Sequence, residues 1–217
     1  MSTSVYPIDA EGVWCGVHAG ATRGGPALFL DRDGVVVEET DYLCRAEDAV
    51  LVQGAEAVIA AANRRGIPVV LVTNQSGVGR GYYGWGDFAA VQEAISSQLA
   101  VQGGAWLDAV YACPHHPTAT GVFCHPDHPA RKPNPGMLLR AAAALDLELR
   151  KSWLIGDRAV DIEAAKRAGL AGAMLVTTGY GKNDRMKAKT LAAADFEVRF
   201  ATSIADAPSL PIFRTEP

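Results

Sequence analysis

No stretch of the 217 residues is long and apolar enough to cross a membrane, and the chain lacks basic runs, internal repeats, heptads and low-complexity tracts. The first 25 residues lack the basic-then-apolar order of a secretory signal, so a cytoplasmic location is expected. A formal charge of −4 without basic clusters argues against nucleic acid as partner or substrate. Cysteine is sparse: Cys15, Cys44, Cys113 and Cys124 are too few, and in the wrong compartment, for a disulfide framework. What is present is ordinary for a soluble enzyme. Hydrophobic residues make up 49% and charged residues 20%, and the length suits one buried core with a small appendage. A monomer or small homo-oligomer is the corresponding expectation.

The apolar pattern alternates between strand and helix. Strands are expected over residues 27–31, 68–73, 107–113, 152–157, 171–177 and 197–200. Between them, residues 54–65 carry Ala57, Val58, Ala61 and Ala62 at helical spacing, and residues 87–102 carry Val91, Ile95 and Leu99; Gly66 and Gly103 mark the stops. This order predicts an α/β protein: a three-layer, Rossmann-like fold with a central parallel sheet, and ligands beyond the carboxyl ends of the strands. No gap accommodates a large cap domain. Residues 27–206 are read as the domain, 1–26 as an N-terminal extension, and the Pro-rich 207–217 as a tail that packs loosely or wraps the surface.

The chemistry concentrates at strand ends. Ala27-Leu28-Phe29-Leu30 runs into Asp31-Arg32-Asp33-Gly34, and alternation along extended backbone lets Asp31 and Asp33 point the same way. Two carboxylates at one spot require a cation between them or a proton on one. One carboxylate can then serve as nucleophile toward phosphorus while the other protonates the leaving oxygen and activates water. The plainer reading is a surface turn. Pro68-Val69-Val70-Leu71-Val72 ends in Thr73-Asn74-Gln75-Ser76-Gly77, whose hydroxyl, amides and backbone N–H groups suit phosphate and substrate oxygens; Thr73 could equally satisfy its own backbone. Arg131 and Lys132 sit in a Pro-stiffened loop, with Asn134 as helix N-cap and Pro135 at the first helical position; the alternative is a solvated basic pair. Trp153-Leu154-Ile155-Gly156 ends in Asp157, with Asp161 at the start of a helix over 162–168. Asp161 is a candidate for orienting a metal-bound water, or else a first-turn acid complementing the helix dipole. Mg²⁺ held by Asp31, Asp157 and the backbone carbonyl of Asp33 suits this sparse carboxylate set, because Mg²⁺ keeps several waters.

The ordered motifs DxDGV, TNQSG, RKPxPGM and GDxxxD resemble those of the haloacid dehalogenase superfamily of phosphatases over residues 27–181. The resemblance implies Asp31 as nucleophile, Asp33 as general acid/base, Thr73 as phosphate ligand, Lys132 as charge neutraliser and Asp157 as Mg²⁺ ligand. More narrowly, TNQSGVGRG, Cys113-Pro114-His115-His116-Pro117 and RKPNPGM are similar to the D-glycero-D-manno-heptose bisphosphate phosphatases, with the histidinol phosphatases as near relatives. A small phosphorylated metabolite is the implied substrate. Phosphate transfer to another acceptor and binding without catalysis are the competing classes; the complete set of acidic and basic groups argues against the latter.

Three segments are left to shape the pocket: 35–53, 77–86 and 114–130. Arg80, in Gly77-Val78-Gly79-Arg80-Gly81, is a candidate for a second phosphate or a sugar hydroxyl, although a flexible glycine turn explains the segment as well. Residues 113–130 have a zinc-like composition, and Cys113, His115, Cys124 and His128 are the candidate ligands of a structural Zn²⁺. His128 and Ala130 stand where the resembling heptose phosphatases carry two cysteines, and a proline-stiffened loop packed without metal is the competing reading.

Overall fold

In a computed structural model, which describes residues 6–214, a seven-stranded sheet lies between helical layers. The strands are β1 (Trp14–Val17), β2 (Leu28–Leu30), β3 (Val69–Asn74), β4 (Ala109–Cys113), β5 (Trp153–Gly156), β6 (Gly172–Val176) and β7 (Glu197–Ala201), in the spatial order β1-β4-β3-β2-β5-β6-β7. All pairings are parallel except that of β1 with β4. The main helices are α1 (Ala55–Arg64), α2 (Ser76–Arg80), α3 (Trp85–Gly103), α4 (Gly136–Leu145), α5 (Ala159–Ala168) and α6 (Gly181–Lys189).

The continuous apolar runs are explained by burial on both faces. Leu28, Leu30, Val69, Leu71, Trp153 and Ile155 face one core, which α1 and α3 cover. The alternate residues Phe29, Val70, Val72 and Leu154 face the other, under α4 and α5. β2 is central, pairing with β3 on one side and β5 on the other. The chain changes direction of progression there, which opens a crevice at the carboxyl end of β2. Among the described residues, the segments between the elements, including 114–130, carry short 3-10 turns and no cap domain.

Four expectations are corrected. The N-terminal extension contributes β1, whose Trp14 packs against Trp85 and Phe88; four residues containing a glycine carry too little alternation to be read as a strand. Helix α4 starts at Gly136, not at Asn134 or Pro135, because the Asn134 amide is engaged by Asp127, the His128 carbonyl and Arg167. Helix α5 begins three residues before 162, so Asp161 lies within its first turn. Over its described residues 207–214 the tail is not loose: Leu210, Ile212 and Phe213 are buried in the α1-side core, and 215–217 lie outside the described residues.

Phe213→Ala is expected to lower unfolding free energy by about 3 kcal/mol. Urea denaturation checks this, and a loss below about 0.5 kcal/mol would restore the reading of a peripheral tail.

Candidate active site

At the crevice, the Lys132 ammonium is buried and has an acceptor for each of its three protons. It lies 2.8 Å from Asp31 Oδ1 and 2.7 Å from Asp161 Oδ1, and donates to the Val72 carbonyl at 2.8 Å. Burial alone would lower its pKa, but Asp161 and Asp31 outweigh that and hold it above the ordinary lysine value. The loop carrying Lys132 is fixed by Asn74, whose amide donates to the Lys132 carbonyl and accepts from its N–H, both at 3.0 Å. Asn74 therefore faces this loop, whereas the sequence marks it as a phosphate or substrate ligand.

Asp31 Oδ1 also accepts the Arg32 N–H at 2.8 Å, and among the described residues Oδ2 has no partner. Asp157 Oδ2 accepts the Tyr180 N–H at 2.8 Å. Gly179 makes that approach feasible: at φ +72, a Cβ there would lie 2.2 Å from Asp157 Oδ2. Burial, then Asp31, then Asp161 raise the Asp157 pKa to about 8, well above the usual carboxylate range. Oxygen atoms of Asp31, Asp157 and Asp161 all lie within 4.8 Å of one another, the sole such cluster of His, Cys, Asp or Glu among the described residues. Three carboxylates around one ammonium leave two negative charges uncompensated, the charge of one divalent cation. Hard oxygen donors fit Mg²⁺. Asp161 meets its first-turn reading, since it caps α5 through the Arg158 N–H at 2.9 Å, and it also pairs with Lys132.

Asp33 lines the same cavity, of about 420 Å³, with a different cation. Arg32 forks onto it, Nε to Oδ1 and Nη2 to Oδ2, both at 3.0 Å, and Gln75 Nε2 donates to Oδ2 at 3.2 Å. The two aspartates thus share neither a cation nor a proton; each has its own positive partner. Gln75 Nε2 also donates to Thr73 Oγ1 at 2.8 Å, which leaves the Thr73 hydroxyl proton for an oxygen in the cavity. Arg131 lines the cavity and donates to the His115 carbonyl at 2.9 Å. Arg80 does not line it; it is held by Tyr42 (2.5 Å) and the His116 ring (3.1 Å), which do.

Sequence reasoning missed Arg32, Tyr180 and Glu39. No periodicity signals an arginine that folds back on its neighbour. Glu39 lines the cavity, and its pKa is pushed up to about 7 by burial and by Asp33, Asp31 and Asp41.

The zinc expectation is corrected. The His115 and His128 rings stack with centroids 3.6 Å apart and planes 2° from parallel, and the His128 pKa is pushed down to about 4 by burial and by His115. Cys124 is exposed, its thiol near the Pro117 carbonyl, while burial pushes the Cys113 thiol up to about 11. With the two rings stacked and Cys124 exposed, the four residues do not present four converging donors, and they form no metal-binding cluster. The loop is held instead by the N-terminal segment: the Glu11 carbonyl lies 2.8 Å from His115 Nε2, and Arg140 pairs with Asp9 and Glu11.

A family model described as HAD-hydrolase-like matches residues 129–207. The chain is 47% identical over 173 residues to a D-glycero-beta-D-manno-heptose-1,7-bisphosphate 7-phosphatase of Mesorhizobium japonicum, covering 79% of each chain. It is 38% identical to a D-glycero-alpha-D-manno-heptose-1,7-bisphosphate 7-phosphatase of Burkholderia mallei, covering 80% of this chain and 88% of that one. Among solved structures, the D,D-heptose 1,7-bisphosphate phosphatase of B. bronchiseptica, complexed with magnesium and phosphate, superposes with a TM-score of 0.75 at 29% identity, over 88% of this chain and 99% of that one.

Asp157→Asn is expected to raise the melting temperature of the metal-free protein and to remove most of its stabilisation by Mg²⁺. A carboxyl whose pKa is raised by folding stabilises the fold while protonated and loses that contribution as pH rises through the raised value. The stability advantage of the amide variant over the parent protein should therefore grow between about pH 4 and pH 8. Thermal scans with EDTA or Mg²⁺ across that range check it; a difference independent of pH would contradict the carboxylate crowding.

Proposed function

As the chain belongs to the haloacid dehalogenase-like hydrolases, we propose that it is a Mg²⁺-dependent phosphatase of a small sugar phosphate, D-glycero-D-manno-heptose 1,7-bisphosphate, working through a phospho-aspartate on Asp31. The observation that carries this reading is the cluster of Asp31, Asp157 and Asp161 around a single buried ammonium.

Asp31 Oδ2 is the free oxygen of a carboxylate whose other oxygen is pinned by Lys132 and the Arg32 N–H, so it attacks phosphorus from a fixed direction. As the new O–P bond forms, the bond to the sugar oxygen breaks, and that oxygen takes a proton from Asp33. Water then attacks the phospho-aspartate, Asp33 accepts its proton, and phosphate leaves with Asp31 regenerated. Thr73 donates its hydroxyl to a phosphate oxygen, and Lys132 offsets charge on the transferring group. Arg131, which lines the cavity, would meet a second anionic group. The site oxygens of Asp31 and Asp157, with the Asp33 carbonyl, would hold Mg²⁺. When bound, the metal draws charge from the phosphate and lowers the barrier to an anionic nucleophile.

The relatives' names support the heptose bisphosphate, and because both anomers occur among them, the anomer is decided by assay. Phosphate release from a panel of sugar mono- and bisphosphates, both heptose bisphosphate anomers and histidinol phosphate is expected to give one dominant heptose bisphosphate activity, lost with EDTA. Asp31→Asn should abolish that activity. Retained turnover in Asp31→Asn would overturn the mechanism, and a dominant histidinol phosphate activity would overturn the substrate.

A further inference from the structure

We propose that Gln75 is a positioning residue, not a substrate ligand: with its amide oriented by Tyr83, it holds Asp33 in place and links it to Thr73. The inference rests on the reading of Asp33 as proton donor and acceptor given above.

The amide has no donor left for a phosphate oxygen. Both Nε2 protons are engaged, by Thr73 Oγ1 at 2.8 Å and Asp33 Oδ2 at 3.2 Å, and Oε1 accepts the Tyr83 hydroxyl at 2.5 Å. Asp33 settles which end of the amide faces it, since a flipped amide would set Oε1 against a carboxylate; the Tyr83 hydroxyl then donates to Oε1. Burial pushes the Tyr83 pKa up to about 12, so the hydroxyl keeps the proton it donates. The ring is accommodated by the chain itself. A Cβ on Gly77, in the first turn of α2, would lie 2.2 Å from the Tyr83 ring, so the glycine leaves room for the ring beside Gln75. The far side of Asp33 is closed by the Arg32 fork, over the Phe88 face at 5.5 Å.

The shared Nε2 joins two parts of the reaction. When Thr73 donates to a phosphate oxygen, its own oxygen becomes a stronger acceptor for Gln75, and the hydrogen-bond chain tightens toward Asp33. Phosphate binding and placement of the proton carrier are then linked through one side chain. Without it, Asp33 is left to Arg32 alone.

The test is leaving-group dependence. Proton donation matters for a sugar alkoxide and little for 2,4-dinitrophenolate, which departs unprotonated. Single-turnover release from the preferred sugar phosphate and the dinitrophenolate burst are measured for Asp33→Asn, Gln75→Leu and Tyr83→Phe. Asp33→Asn should lose roughly a hundredfold on the sugar phosphate and far less in the burst. Gln75→Leu should lose about tenfold or more on the sugar phosphate, with KM and the burst each changed by less than about threefold, and Tyr83→Phe should follow with a smaller loss of the same selectivity. Parallel loss of both reactions in Gln75→Leu and Tyr83→Phe, or loss of neither, overturns the inference, and the burst itself reports a misfolded variant. If Asp33→Asn loses both reactions equally, the proton-transfer role of Asp33 fails first and the link with it.

Discussion

The buried ammonium of Lys132 is the constraint around which the site is organised. Its three acceptors come from the end of β2, the end of β3 and the first turn of α5, so one side chain ties together three segments distant in sequence. Removing one partner of such a buried pair costs about 3–5 kcal/mol, because the remaining charges are left uncompensated. The loop is held in place as well by Asn74, which clamps both the N–H and the carbonyl of Lys132. Placement of Asp31 follows, since the same ammonium and the Arg32 N–H occupy one of its oxygens and leave the other toward the cavity.

Charge balance then separates the two aspartates of the motif. Asp31 joins Asp157 and Asp161 in a cluster that one lysine cannot neutralise, which creates the demand for a divalent cation. Asp33 is removed from that cluster by its own arginine and by an amide hydrogen bond. Two carboxylates only two residues apart thus meet different electrostatic surroundings, one within an acidic cluster and one under an arginine fork. Glu39 adds a third setting, a half-buried acid facing both.

The sheet, its parallel order and the meeting of the four motifs in one crevice were legible in the sequence, because apolar runs followed by chemistry-bearing residues mark strand ends directly. Side-chain partners were not. Asn74 and Gln75 read as substrate ligands from their neighbours in the motif, yet the fold turns one to the Lys132 backbone and the other to Asp33 and Thr73. Arg32 carried no signal, because its role comes from a local fold-back and not from spacing. The Cys/His-rich loop misled for a related reason: composition suggested zinc, whereas the histidines stack on each other and lean on Glu11, more than a hundred positions away along the chain. Nothing local in residues 6–14 announces that contact, nor the antiparallel strand that brings the segment there.

In the proposed reaction Asp31 and Asp157 form a Mg²⁺-dependent phosphoryl site while Lys132 stays locked between Asp31 and Asp161. A crystal structure of the protein grown with Mg²⁺ and beryllium fluoride, a mimic of an acyl phosphate, tests it most directly. The fluoride adduct is expected on Asp31 Oδ2, with Mg²⁺ ligated by Asp31 and Asp157 and both Lys132 ion pairs intact. An adduct on Asp33, or a metal that displaces Lys132 from Asp161, would contradict it.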